Sequence, residues 1–231
     1  MVNNPEPSRT LFLTLTVLTV VSGVVDAVSY LGLGHVFTAN MTGNVVLLGF
    51  AAAGAPGFSI PASLASLGSF LVGAAVAGRI TLHVSSRRRW LLIAMSVEGL
   101  FAGVAAIVAA SHSGVVSSGS ARYTIISVLA FAMGVRNSTI RRLAVPDITT
   151  TVLTMTLTGL AADSSLAGGT NPKFARRSSA VAAMLIGAVV GAALYLHTGA
   201  TWPLAAVAVV VLAVTGALAV SPESRQLDAT G

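Results

Sequence analysis

Six stretches of this chain are each apolar for about 20 residues, the helical length that crosses a hydrocarbon core of about 30 Å. They run from Leu11 to Leu33, Ile60 to His83, Trp90 to Ala110, Tyr123 to Ala144, Ser178 to His197 and Trp202 to Val220, with Ser, Gly, Pro or Arg between them. Of 231 residues, 55% are hydrophobic and only 9% charged, where a soluble domain carries about 25% charge. The expected fold is therefore all-α, a polytopic membrane helix bundle forming one membrane domain over residues 1–231. Arg9 and the run from Leu11 to Val25 imitate a signal peptide ending near Asp26-Ala27, but equally apolar segments follow, so the run reads as the first span.

Two segments fit neither span nor loop. One runs from His35 to Ala55 and contains Ala39-Asn40-Met41-Thr42-Gly43-Asn44; the other runs from Val145 to Asp163 and contains Pro146-Asp147-Ile148-Thr149-Thr150-Thr151. In the first, only Val45 to Ala53 is continuously apolar, about 13 Å of helix and too short to cross. Both are expected to be re-entrant half-helices.

Basic residues collect in cytoplasmic loops, and this decides the topology. With Arg9 inside and both polar segments non-crossing, Arg87 to Arg89, Arg141 and Arg142, Lys173 with Arg176 and Arg177, and the tail with Arg225 all fall inside. If both segments crossed, one basic cluster or another would be exported whichever way the chain began. The formal charge of +6 thus reads as topology, with no nucleic acid as partner. The expected location is the bacterial inner (plasma) membrane, multi-pass, with N- and C-termini cytoplasmic.

The chain also resembles itself at an offset of about 111 residues. Gly23-Val24-Val25-Asp26 recurs as Gly134-Val135-Arg136-Asn137, and Phe37-Thr38 as Ile148-Thr149; at 112, Met41-Thr42 meets Leu153-Thr154 and Val45 meets Leu157. Each half, 11–110 and 122–220, reads as one span, one re-entrant segment and two more spans. An odd number of spans per half inserts the second copy upside down, giving a 3+3 inverted repeat as in many secondary transporters. Inversion would bring the polar segments in from opposite faces toward the midplane, where such backbone is tolerated only inside protein or around a wet cavity.

Candidate site residues follow. Asp26 lies deep in the first span, where a charge costs about 2.5 to 3.5 kcal/mol on insertion scales and needs a partner, a proton or water. Its repeat-related counterparts are Arg136 and Asn137, so Asp26 and Arg136 are expected to face each other, paired or competing for a substrate; the alternative is a pair that only fixes packing. Asn40, Thr42, Gly43 and Asn44 read as the opening of a half-helix with Thr42 or Asn44 as N-cap, leaving amides and the positive helix end for an anion or polar group. Asp147, Thr150, Thr151 and Thr154 form the matching entry; their hydroxyls could instead bond backbone carbonyls or join helices. Glu98 is expected near the Arg87 to Arg89 side, and Asp163 near the inner face in solvent. Gly99 with Gly103, and Gly187 with Gly191, suit close helix crossings. The Asn40 to Thr42 sequon sits in apolar surroundings and gives no support for glycosylation.

The motif from Gly23 to Tyr30 together with Phe37 to Asn44 resembles the YoaK-like family of small bacterial inner-membrane proteins, a domain of unknown function. Val135-Arg136-Asn137-Ser138-Thr139-Ile140-Arg141-Arg142-Leu143 and Pro146-Asp147 with the following threonines resemble that family's second signature. The likeness covers nearly the whole chain and implies a compact polytopic membrane protein. It brings no substrate. Arg136 departs from the uncharged residue expected there in many relatives.

No cysteine is present, and His35, His83, His112 and His197 lack ligand spacing, so no metal or cofactor is expected. There is no zinc-binding HExxH, nucleophile elbow or nucleotide loop, which speaks against an enzyme and places no residue as catalytic. The expected function is a secondary transporter or permease for a small polar or anionic solute, with Asp26 carrying a coupling proton. The alternatives are a channel filtered by the paired half-helices, and a non-transporting assembly or partner protein. Lipid is the certain partner; self-association into a homo-oligomer is left open.

Overall fold

A computed structural model describes residues 9–84, 86–112, 119–143, 153–171 and 173–222. Every regular element among them is helical: α1 (Arg9–Gly32), α2 (Met41–Ala52), α3 (Ile60–Ile80), α4 (Arg87–Ala110), α5 (Gly119–Leu143), α6 (Leu153–Ala162), α7 (Phe174–Thr198) and α8 (Thr201–Val220), with one 3-10 turn at Ser165–Ala167. Their starts have local causes. Ser59 accepts the Ala62 amide at the head of α3, with Pro61 in the first turn, and Ser86 accepts the Arg89 amide at the head of α4. In the first turn neither the missing proline N–H nor the serine side chain disturbs the helical ladder, so these residues favour a helix start. Gly34 and His35, both at positive φ, end the path of α1 and turn the chain back.

Five helices are long and apolar enough to cross a membrane: α1, α3, α4, α7 and α8. The sequence reading expected six. The sixth, α5, has the length at 25 residues, but Arg136, Asn137, Ser138, Thr139, Arg141 and Arg142 dilute its apolar character. Arg136 and Thr139 are buried, so α5 turns polar groups inward rather than to lipid. Conversely, Leu71, Leu185 and Val209 stand outward and exposed on α3, α7 and α8. An apolar outer surface on helices of this length is what lipid, and not water, accepts.

Glycines decide which helices cross closely. A Cβ on Gly23 would strike the Met184 carbonyl and the Ala188 amide, and one on Gly187 would strike the Val20 carbonyl, so α1 and α7 touch backbone to backbone. On the other side, Gly134 meets Phe70 and Ala74, and Gly73 meets Phe131, so α3 and α5 do the same. Without a hydrophobic force between helices in lipid, close approach of this kind is the main source of association. Gly99 fits against Leu212 and Gly103 faces Ala208, packing α4 along α8. These residue pairs also fix direction: α1, α4 and α7 run one way, α3, α5 and α8 the other.

The two ends of the bundle differ. At one, Gly34 after α1 lies against the Arg122 guanidinium at the start of α5. At the other, arginines donate to carbonyls near the C-terminal ends of neighbouring helices: Arg142 to Thr81, Arg88 to Ala219, and Arg177 to Gly159 at 2.8 Å. Cations there oppose the negative ends of the helix dipoles. α2 packs on α3 and returns to the first end, where the His35 ring bonds the Gly57 carbonyl at 2.9 Å; α6 packs on α7 at the second. The expected meeting of the two half-helices is not seen among the described residues, since α2 packs on α3 and α6 on α7. Large side chains of α1, α4, α5 and α8, among them Leu15, Leu18, Met95, Ile126 and Leu204, fill the shared core.

Candidate functional site

Polar side chains gather inside this apolar core at two neighbouring places on α1. The first is built on Asp26, which is 5% exposed. After α1 the chain folds back along it, and one oxygen of Asp26, Oδ1, accepts the amides of Thr38 at 3.1 Å and Ala39 at 2.8 Å. Asn40 then caps α2 by accepting the Gly43 amide at 3.2 Å. The cap therefore lies at Asn40, earlier than the expected Thr42 or Asn44. The anion drawn to the head of this half-helix is the chain's own carboxylate, because a loop lying inside apolar surroundings must satisfy its amides internally. The second oxygen, Oδ2, is buried and makes no hydrogen bond.

Asn44 closes the same loop from the other side. Its Oδ1 accepts the Phe37 amide at 2.8 Å, and its Nδ2 donates to the Phe37 carbonyl at 2.6 Å and to Ser66 Oγ at 3.0 Å. Ser66, on α3, donates to the same carbonyl at 2.6 Å. Asn44 and Ser66 are wholly buried. Gly43 is needed beside them, since a Cβ would press on the Phe37 ring. One carboxamide thus replaces both backbone partners that Phe37 would have in a sheet.

The second place lies one turn earlier on α1. Arg136 of α5, 1% exposed, forms an ion pair with Glu98 of α4, Nη1 to Oε1 at 2.7 Å, and also donates to the Leu18 carbonyl at 3.1 Å and to Ser22 Oγ. This corrects two expectations. Arg136 pairs with Glu98 and not with Asp26, because its side chain leaves α5 at the level of Ser22 and meets α4 there. Glu98 does not reach toward Arg87 to Arg89; it is 1% exposed. Glu98 Oε2 and Arg136 Nε remain without partners.

The other predicted residues scatter. Asn137 is half-buried and donates to the Met133 carbonyl of its own helix at 2.8 Å, so it does not face Asp26. Asn40, Thr42 and Thr154 are exposed. In α6 the buried polar residue is Thr156. Asp147, Thr150 and Thr151 lie outside the described residues. Asp163 forms an ion pair with Arg177 at 2.5 Å, while staying partly exposed. Sequence reasoning missed Ser22 and Ser66, which nothing distinguishes from other small helix residues, and undervalued Glu98, whose signal was an acid in the middle of an apolar span.

Among known proteins, the family model described as "Protein of unknown function (DUF1275)" matches residues 14–217. A curated relative, the UPF0700 transmembrane protein YoaK of Bacillus subtilis (strain 168), is 34% identical over 156 residues, which are 65% of this chain and 66% of that one. The match thus spans just under two thirds of each. No solved structure matches the chain. With lipid-facing helices, buried charge inside them and a family model covering most of its length, the chain is a multi-pass membrane protein and belongs to the DUF1275 family, to which the expected YoaK likeness also leads.

Proposed function

We propose that this protein is a secondary transporter for a small polar or anionic solute, coupled to protons and built from two halves, 11–110 and 122–220, inserted in opposite directions in the bacterial inner membrane. It is assigned no catalytic step. The observation that carries this reading is one helix crossing made twice. Gly23 on Met184 and Gly187 on Val20 join α1 to α7; Gly134 on Phe70 and Gly73 on Phe131 join α5 to α3. Gly134 and Phe131 follow Gly23 and Val20 by the repeat offset of about 111 residues. Paired helices of the halves run in opposite senses, and α2 and α6 sit at opposite ends. Inverted halves with interrupted segments are the plan on which alternating access is commonly built. Buried acids within spans, Asp26 and Glu98, supply groups that can carry a proton.

The test is flux into proteoliposomes. An imposed inward proton gradient is expected to drive accumulation of at least one small anionic or polar solute, and a protonophore to abolish it. Equilibration without accumulation, unchanged in both Asp26→Asn and Glu98→Gln, would instead make the protein a channel. No movement of any candidate, and no solute-induced rise in thermal stability, would end the transport reading. A second reading, a membrane assembly component, is favoured by one feature: Phe37, Asn44 and Ser66 spend their polar groups on one another. A wild-type phenotype in a folded Asp26→Asn/Glu98→Gln variant, which lacks both buried acids, would favour it.

A further inference from the structure

We propose that Glu98 is the proton-coupling residue and that its ion pair with Arg136 is a latch holding α4 on α5, released when Glu98 takes a proton. The latch rests on the geometry of the pair; its use in transport rests on the paired-halves reading above.

Arg136 is where three helices are tied by one side chain. It is rooted in α5, bonds α1 through Leu18 and Ser22, and bonds α4 through Glu98 alone. Under the repeat, the α4–α5 interface corresponds to the α8–α1 interface. The two are unequal: α4 lies more closely on α5 than α8 lies on α1, and α7 packs on α8 more than α3 does on α4. An open groove of about 630 Å³ follows the α3, α4 and α5 side, lined by Leu64, Gly68, Val72, Phe101, Ser127 and Phe131. The residue corresponding to Arg136 in α1 is Val25, and α8 holds no charged side chain, so only one of the two related interfaces carries an ionic bond. Two halves of similar build and unequal closure have two arrangements of similar energy, and a single buried pair is enough to choose between them.

The proton balance is direct. A proton added to the Glu98 carboxylate forms an O–H bond and removes the negative charge; Oε2, buried and without a partner, is the oxygen open to it. The guanidinium keeps its charge and its bonds to α1, and α4 loses its ionic tie to α5. The charged groups around Glu98 are few. α5 presents Arg136, α1 presents Asp26 one turn beyond Ser22, α8 presents none, and Arg87, Arg88 and Arg89 lie at the far end of α4 itself. Asp26 is the weaker choice for coupling, because its Oδ1 holds the Thr38 and Ala39 amides and protonation there would loosen a loop rather than a helix interface.

A native reporter sits on the interface. Trp90 of α4 is 4% exposed and belongs to one small apolar cluster with Ala77 of α3, Ala94 of α4 and Val135 of α5, the neighbour of Arg136, whereas Trp202, the other tryptophan, is 66% exposed and can be removed as Trp202→Phe. In liposomes without solute, acid is expected to red-shift Trp90 emission and increase its quenching by acrylamide or brominated lipid. Glu98→Gln should show the acid-like signal at neutral pH and lose the titration, while Asp26→Asn keeps it. Glu98→Gln/Arg136→Gln, which leaves no unpaired buried cation, should resemble Glu98→Gln and carries the test if the single variant does not fold by circular dichroism. A parent without titration, or a titration that survives Glu98→Gln and vanishes in Asp26→Asn, would overturn the proposal. Titration of Trp90 with no flux of any solute would sink transport and leave the latch standing.

Discussion

Asn44 is the residue on which the first half-helix most depends, because Phe37 has both backbone groups turned to it. Removing one partner from a buried hydrogen bond leaves its fellow unsatisfied, which costs about 1–3 kcal/mol per group. Asn44→Ala strands the Phe37 amide, and Ser66 alone remains for the carbonyl. A clear fall in melting temperature in detergent, followed by tryptophan fluorescence, is the expected result. Asn44→Asp keeps the acceptor for the Phe37 amide but faces the Phe37 carbonyl with a second acceptor, so it should also be destabilising. An unchanged melting temperature in both variants would mean that Asn44 serves a ligand and not the loop. The sequence made this segment visible through polar residues amid apolar ones, yet it put the cap at Thr42 or Asn44, where Asn40 caps and Asn44 locks the loop. That choice depends on how the loop after α1 folds back onto Asp26. Asp26 was legible as an acid in need of a partner for the same reason, whereas Glu98 was read as reaching toward Arg87 to Arg89; the partners of both were not legible, since each is contributed by a segment distant in sequence or by backbone.

Helix limits were legible because lipid thickness and apolar length constrain one another: the predicted and observed ends differ by only a few residues at each span. Packing was legible only in part. Gly187 and Gly191 were singled out by spacing and do lie against the backbone of α1, but Gly103 has only the Ala208 side chain near it. The four glycines of the repeated crossing, Gly23, Gly187, Gly73 and Gly134, have no common spacing, since each faces another helix and not its own repeat. They give a sharp test. Alanine at any of the four forces two backbones apart, and overpacking of this kind costs about 1–3 kcal/mol. Gly78→Ala and Gly216→Ala meet nothing within 4 Å, and the helix propensity of alanine should make them neutral or stabilising by about 1 kcal/mol or less. Unfolding curves of the six variants should fall into these two groups. Equal effects in both would show that the crossings are looser than these close approaches require. If Gly23→Ala and Gly134→Ala are damaging to similar extents, the two crossings are equivalent in energy as well as in form.

At the scale of the whole molecule, arginine does two things with one placement. Arg88, Arg142 and Arg177 bond helix-end carbonyls at one end of the bundle, and the same clusters supply the charge bias that orients a nascent chain. The energetic reason for keeping them together is therefore double: moving one cluster to the other end would lose its dipole partner and work against insertion. Because the chain has no cysteine, its orientation can be read one position at a time with a membrane-impermeant maleimide on intact cells. Ala53, His112 and Thr198 lie at the end of the bundle away from these arginines, and Leu82 and Leu166 lie at the arginine end; all five are exposed. Cysteines at the first three are expected to label from outside, and those at Leu82 and Leu166 only after permeabilisation. Full inversion of the pattern would place the N-terminus outside against the charge bias, while leaving the fold intact. A mixed pattern has a different meaning: if Ala53→Cys is protected while Thr198→Cys is labelled, α2 has crossed the bilayer, the number of spans in the first half becomes even, and the argument for oppositely inserted halves collapses with it.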